Sequence, residues 1–297
     1  MSDPGAAPPY VKLIEAAADR APGQDAAEMA AILAAHPGVL GVVFYGNMLR
    51  DREAPGLMDF YVLTESDAAY HGHGPSAFFN RLLPPNVYFE EVGPGGSAAK
   101  VAVMRLEVFR HRMRRQSWDT TLWARFCQPA LVVHARDNAA RARIIAALVE
   151  AHETAAWWAR HLADPGGAED TWKTLFAHTY GAELRVEGQG RMTEIVDRAH
   201  PLYKELYEAL IAPKVTDTAE KARAARAWRL RRLVGKPLNL ARLIKAAATF
   251  RGGIAYALSK VERHTGRPVE LRPWERRVPW LAAPVVLIRL LWQKRLR

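Results

Sequence analysis

The chain has 297 residues, of which 49% are hydrophobic and 25% are charged, a composition typical of a folded globular protein with one large core or two modest ones. Its one cysteine, Cys127, excludes an internal disulfide framework and a multi-cysteine zinc site. No uninterrupted apolar run reaches about 18 residues, which excludes an ordinary transmembrane helix. The opening residues lack the basic and apolar regions of a signal peptide, so the sequence predicts a cytoplasmic protein.

The predicted elements begin with a helix over residues 10–36, which is rich in alanine. Apolar runs bounded by turn residues then predict five strands, at 38–46, 57–65, 86–92, 99–107 and 128–137. A connection with histidine, glycine and proline, in part helical, separates the second strand from the third. From residue 138 onward strand signals vanish, and the chain is predicted to be a succession of helices.

The predicted fold is therefore α/β + α, in three regions. Residues 1–137 form a mixed sheet domain, residues 138–264 a helical domain, and residues 265–297 a basic C-terminal segment with an amphipathic helix. No internal repeats are found.

The net charge of +11 is concentrated in the last third of the chain. Residues 214–297 carry 21 Lys and Arg against 5 Asp and Glu, a net charge of +16, so the rest of the chain is net −5. This asymmetry indicates an anionic partner, and both nucleic acid and acidic lipid meet that description. A separate basic run at 110–116 is predicted to be a solvated face.

The stretch from Phe44 to Ser66 joins a strand, a turn that contains Gly46, and a second strand that carries Asp59 between two apolar residues. A buried carboxylate is costly unless it is paired or holds a metal. This arrangement is that of the nucleotidyltransferases, in which a strand carboxylate holds Mg²⁺ beside a nucleotide triphosphate. A structural carboxylate that pairs with a buried arginine is the alternative. Two residues on, where a second carboxylate is usual, the sequence has Tyr61.

Other segments follow in a particular order: "FYGN", "MDFYVLTESDAAYH", "NVYFEEV", "AKVAVM", "WDTTLWARFCQP" and "TYGAELRVE". This succession, over roughly residues 40–265, resembles the mitochondrial translocator assembly and maintenance family. Members of that family are phosphatidate cytidylyltransferases, which make CDP-diacylglycerol and pyrophosphate from CTP and phosphatidic acid. The resemblance implies a nucleotidyltransferase-like sheet domain, a Mg²⁺ cofactor and a role in phospholipid biosynthesis.

The resemblance also implies particular site residues. Asp59 and Lys100 match catalytic positions, and Asp59 with Glu65 would be the metal ligands. The remaining matches are to nucleotide- or phosphate-binding positions: Gly46, Asn47, His71, Arg125, Tyr180 and Arg185. Asn47 stands where the family usually has serine, and both side chains can hydrogen-bond a phosphate oxygen.

Two alternatives use the same sequence differently. A degenerate nucleotidyltransferase fold could bind RNA through its basic third, with bases stacked on Trp228, Trp274, Trp280 and Trp292. A membrane scaffold without catalysis is the other. The resemblance favours CTP, phosphatidic acid and an anionic membrane surface as partners, with no nucleic acid.

The segment at 278–297 is apolar between Trp280 and Trp292 apart from Arg289, and basic residues flank it. It is too short to span a bilayer, because thirteen helical residues rise only about 20 Å. We expect it to lie in the membrane interface and to hold a peripheral protein on the inner face of the membrane. A core helix docked on the helical domain is the alternative.

Overall fold

The computed structural model describes residues 7–50, 57–92, 97–164, 166–183, 194–197, 199–212 and 217–249, together with Arg272 and Trp274. Its five strands are β1 (Val39–Tyr45), β2 (Met58–Thr64), β3 (Asn86–Glu91), β4 (Ala98–Arg105) and β5 (Leu131–Ala135). Four strands lie within the apolar runs that predicted them, and β4 begins one residue before its run. The mixed α/β class is confirmed. The predicted C-terminal helix at 265–297 lies outside the described residues, apart from Arg272 and Trp274.

The strands form one sheet in the order β3-β4-β2-β1-β5. The central pair, β2 and β4, is parallel, and every other neighbouring pair is antiparallel. Because β2 and β4 point the same way, residues at the start of each strand lie side by side at one end of the sheet.

The described helices are α1 (Pro9–Ala18), α2 (Gln24–Ala34), α3 (Asn47–Arg50), α4 (Asp67–His71), α5 (Pro75–Leu82), α6 (Leu106–Met113), α7 (Thr121–Phe126), α8 (Asn138–Leu162), α9 (Ala168–Ala182), α10 (His200–Leu210) and α11 (Thr218–Thr249). As predicted, the described chain after β5 is helical. The single helix predicted over residues 10–36 is wrong, because the chain breaks at Pro22 and Gly23 and forms two helices. None of the helices that the structure describes is long and apolar enough to cross a membrane.

Alternate residues of each strand face opposite sides of the sheet. One side packs Phe60 and Val101 against Met29 and Leu33 of α2. The other side packs Tyr61 and its neighbours against the helices that follow β4 and β5, in a cluster that includes Trp158 and Trp172. We call these the α2 side and the helical side. The helices after residue 137 therefore share one continuous core with the sheet.

Candidate active site

Gly46 and Asp59 lie against each other where β1 ends and β2 begins. Gly46 has φ +92°, a conformation that favours glycine, and a Cβ atom added there would lie 2.6 Å from Oδ2 of Asp59. Both the backbone and the contact therefore require glycine at this position. Asn47 follows directly as the first residue of the short helix α3.

Asp59 and Lys100 are direct neighbours in the parallel ladder of β2 and β4. Met58 and Phe60, on either side of Asp59, belong to the α2-side core, so Asp59 faces the helical side with Tyr61. By the same alternation Lys100 faces the helical side, because Ala99 and Val101 belong to the α2-side core. The carboxylate and the ammonium group thus start from adjacent backbone positions on one side of the sheet.

Arg125 of α7 reaches the same side from above the sheet. Its Nη1 donates a hydrogen bond of 3.2 Å to the Tyr61 hydroxyl, and its guanidinium lies 5.5 Å from the centre of the Tyr45 ring. Burial lowers the pKa of Arg125, but Tyr45, Tyr61, Glu183 and Asp59 outweigh burial and raise it above its ordinary value. Arg125 is therefore a permanent cation beside Asp59.

Asp59 is half-buried and takes part in none of the ion pairs found among the described residues. The described residues therefore do not support the alternative in which Asp59 is a structural carboxylate paired with a buried arginine. Arg125 acts on Asp59 at longer range, through charge.

The end of α9 supplies Tyr180 and Glu183 to this region. Glu183 is 7% exposed and lies close enough to raise the pKa of Arg125. Tyr180, three residues earlier, is half-buried against the helical-side core. Arg185 lies outside the described residues.

Glu65, the predicted second metal ligand, follows the opposite end of β2. It is six residue steps along the strand from Asp59, a distance of about 20 Å. Glu65 is exposed and its carboxylate lies 3.6 Å from Arg136. The structure therefore does not bring Glu65 to the metal site predicted at Asp59.

His71 lies on the other side of the sheet from Asp59. Its Nδ1 is 3.1 Å from the hydroxyl of Tyr88, and Tyr88 pairs with Val101 of the α2-side core. Burial lowers the pKa of His71; nearby Asp67 raises it and Lys245 lowers it. The predicted phosphate-binding role of His71 at Asp59 is not compatible with this placement, since the sheet lies between the two side chains.

A second polar cluster, which the sequence did not reveal, surrounds Asp119 between α6 and α7. Its carboxylate lies 2.6 Å from Nη2 of Arg242 and 3.1 Å from Nη1 of Arg112, and its other oxygen accepts from the Thr121 backbone. Burial would raise the pKa of Asp119, but Arg242 and Arg112 hold it below its ordinary value. Arg112 belongs to the run predicted to be a solvated face; that prediction is wrong for Arg112, which is half-buried and paired.

Lys245 of α11 extends this cluster toward β3. Its ammonium group donates to the backbone carbonyls of Leu83 and Pro85 and to the side-chain oxygen of Asn86. The three acceptors match the three protons of an ammonium group. Burial first, and then Arg242 and Arg112, lower the pKa of Lys245 to about 8.

Magnesium typically binds one or two protein carboxylates, several waters and the phosphates of a substrate. No group of three His, Cys, Asp or Glu side chains able to hold a metal occurs among the described residues. Asp59 alone, with phosphate oxygens from a bound nucleotide, is a donor set that fits Mg²⁺ of this kind. Lys100 and Arg125 beside it fit the charge of phosphates.

The aromatic residues proposed to stack nucleic-acid bases are only partly placed. Trp228 is 2% exposed and packs between Trp123 and Trp158, so it is not a surface for stacking. Trp274 is exposed, and Trp280 and Trp292 lie outside the described residues.

No protein-family model matches this chain, and no curated protein sequence matches it.

Proposed function

We propose that this protein is a Mg²⁺-dependent nucleotidyltransferase that makes CDP-diacylglycerol and pyrophosphate from CTP and phosphatidic acid. The observation that carries the proposal is the contact between Gly46 and Asp59. A half-buried carboxylate lies against a turn that has no room for a side chain, and Lys100 is its neighbour in the sheet. The nucleotide and lipid come from the resemblance of the ordered motifs to the phosphatidate cytidylyltransferases.

In this proposal Gly46 makes room at the turn for the Asp59 carboxylate, and Asp59 holds Mg²⁺. The ion, when bound, neutralises charge that develops on the triphosphate during transfer. Lys100 and Arg125 hold phosphate oxygens, because both side chains donate charge-assisted hydrogen bonds. Arg125 is oriented for this by the Tyr61 hydroxyl.

The reaction joins a phosphate oxygen of phosphatidic acid to the α-phosphorus of CTP, and the bond from that phosphorus to pyrophosphate breaks. The attacking oxygen is already anionic, so no strong general base is required. Positioning and charge neutralisation then supply most of the rate. A lipid substrate that stays in the bilayer also requires a peripheral protein on an anionic membrane surface.

The test is formation of labelled CDP-diacylglycerol from labelled CTP and phosphatidic acid with Mg²⁺. Replacement Asp59→Asn should lower the rate at least about a hundredfold, since one charge is lost from a metal site. Asp170→Asn, at an exposed position on α9, is the matched control and should leave the rate unchanged. A folded Asp59→Asn protein as active as wild type would show that Asp59 is not a metal ligand.

A binding protein without catalysis is the second candidate, and one observation favours it. Tyr61 occupies the position at which nucleotidyltransferases usually place a second carboxylate, and its hydroxyl is bound to Arg125. The two candidates predict different results in the same assay, because a scaffold would give no lipid product from CTP or from any other nucleotide.

A further inference from the structure

The outer surface of α11 carries two exposed strips of opposite character. Leu230, Leu233 and Val234 are 50%, 71% and 42% exposed, and their spacing of three and four residues places them on one strip of the helix. Arg229, Arg232 and Lys236 are also exposed, and their spacing of three and four residues makes a second, basic strip. We call these the aliphatic strip and the basic strip.

The inner surface of α11 is already fully used by the core. Ala224 and Trp228 are each 2% exposed, and Trp228 packs against Trp123 and Trp158. Two turns after Trp228, Gly235 lies so close to α9 that a Cβ atom there would be 2.4 Å from the Ala182 carbonyl oxygen. The aliphatic strip therefore does not pack α11 against the core. Exposed apolar patches of this kind often mark interaction sites.

Trp118 adds an exposed aromatic side chain beside the same stretch of α11. It is 55% exposed, and the guanidinium of Arg231 lies 5.6 Å from the centre of its ring. Arg231 also donates to the backbone carbonyls of Ser117 and Arg115, which holds the Trp118 loop against the helix. Tryptophan is favoured where apolar and aqueous phases meet.

The charge and composition of this surface distinguish its possible occupants. Between Thr218 and Thr249, α11 has nine Lys and Arg and one acidic residue, Glu220. If the occupant were a second copy of the same surface, like charges would face each other. If it were nucleic acid, the three aliphatic side chains would have no partner, because bases stack on aromatic rings. A bilayer with anionic headgroups offers apolar chains to one strip and negative charge to the other.

We propose that the aliphatic and basic strips of α11 are a docking surface for an anionic bilayer. The proposed surface consists of residues of α11 and does not include the segment at 278–297. The proposal stands on α11 itself, and only its link with lipid chemistry rests on the proposed function. Docking through α11 would hold the Asp119 cluster and the candidate active site at a fixed distance from the lipid, since Arg242 and Lys245 of the same helix bind the residues before β3.

The test is flotation of the full chain with vesicles of phosphatidylcholine, with and without about one-third phosphatidylglycerol. Phosphatidylglycerol supplies negative charge without the phosphomonoester of phosphatidic acid, so binding reports the surface and not the substrate site. One variant combines Leu230→Ser, Leu233→Ser and Val234→Ser. A second combines Arg229→Gln, Arg232→Gln and Lys236→Gln.

Matched controls come from exposed residues elsewhere in the chain. Leu13→Ser with Ile32→Ser removes aliphatic side chains that are 38% and 43% exposed. Lys12→Gln, Arg20→Gln and Lys204→Gln remove three exposed positive charges. We expect the basic-strip variant to lower partition onto anionic vesicles roughly a hundredfold, at about fivefold per charge, and the aliphatic-strip variant at least about tenfold. The controls should change it less than about threefold.

A local probe gives an independent measurement. The only natural thiol, Cys127, is buried, and burial raises its pKa, so a fluorophore attached at Leu233→Cys would report that position alone. Its emission should shift to the blue with anionic vesicles, and the same dye at Ile32→Cys should not shift.

Three results would overturn the proposal. In the first, both strip variants float as completely as wild type. In the second, wild type does not bind anionic vesicles. In the third, the aliphatic-strip variant changes from a dimer to a monomer and still binds vesicles. If the protein binds vesicles through α11 but makes no CDP-diacylglycerol, the result would support the docking surface and contradict the proposed function.

Discussion

Arg242 and Asp119 join the long helix α11 to the loop between α6 and α7 through an ion pair of 2.6 Å between Nη2 and Oδ2. The side chains are 13% and 9% exposed, so water screens the pair little. Arg112 binds the same carboxylate oxygen, and both arginines also donate to the backbone carbonyl of Pro84. One carboxylate thus balances two guanidinium groups that converge on the turn before β3.

Replacement Asp119→Asn should destabilise the protein by about 3 kcal/mol, because it leaves two largely buried guanidinium groups without their counter-charge. The free energy of unfolding in urea is the measurement. Glu107→Gln is the control, since Glu107 also pairs with two arginines but is 62% exposed, and we expect a loss below about 1 kcal/mol. Equal losses for the two variants would show that burial of the Asp119 cluster does not matter to stability.

Replacement Gly46→Ala should cost stability and abolish most activity. Alanine at φ +92° is strained by roughly 1–3 kcal/mol, and its Cβ would press on the Asp59 carboxylate. Gly72→Ala separates the two effects: Gly72 has φ +70°, but a Cβ atom there meets nothing within 4 Å. We expect both variants to lose stability, and only Gly46→Ala to lose at least about tenfold in the rate of CDP-diacylglycerol formation, which corresponds to about 1.4 kcal/mol.

His152 should make the protein less stable as the pH falls below about 6.5. It is 3% exposed, its Nδ1 lies 2.8 Å from the Leu148 carbonyl oxygen, and burial lowers its pKa to about 4. The unfolded chain therefore binds a proton that the folded protein does not bind between about pH 6.5 and pH 4, and the loss of stability across that range is about 3 kcal/mol.

The measurement is the free energy of unfolding at several pH values for wild type and His152→Gln. Glutamine cannot take up a proton, so its curve should be flatter between about pH 4 and pH 6.5. His73→Gln, at an exposed position, is the control and should keep the wild-type slope. If the His152→Gln curve has the wild-type slope, the ring is not buried in the neutral form.

CTP should protect the protein against thermal unfolding more than ATP, GTP or UTP at equal concentration with Mg²⁺. A ligand stabilises the folded state in proportion to its affinity, so the ranking of melting temperatures gives the ranking of affinities. The expectation comes from the resemblance of the motifs alone. Equal protection by all four nucleotides would contradict it, whereas protection by none would place nucleotide binding itself in question.

The sequence predicted most strands well because they are short apolar runs that end in turn residues, as β2 does between Leu57 and Glu65. The strand predicted at 99–107 runs two residues too far, because β4 passes directly into α6 at Leu106. The sequence predicted one helix over residues 10–36 because the alanine content outweighed the Pro22-Gly23 signal, although those two residues are strong helix breakers. The local sequence pattern is sufficient to predict short strands and helices, and here it also contained the break at Pro22 and Gly23.

The candidate site was predictable only in part. Gly46, Asp59 and Lys100 come together because the register of neighbouring strands is regular. Glu65 and His71 were placed by motif order, which does not say which end or which side of a sheet a residue occupies. Asp119 and Arg242 are 123 residues apart, and no local pattern connects them, so the cluster follows from the tertiary structure alone.

The three hydrogen bonds of Lys245 reach back across 159, 160 and 162 residues to the turn before β3. During synthesis on the ribosome, β3 and its turn would emerge long before their partner on α11 exists. At about 5–20 residues per second, the delay is on the order of ten seconds. Over that interval the Leu83 and Pro85 carbonyls lack their Lys245 donor, and β3 is an edge strand open to pairing with another nascent chain. A chaperone that shields short edge strands would therefore be expected to raise the yield of this protein most during that window.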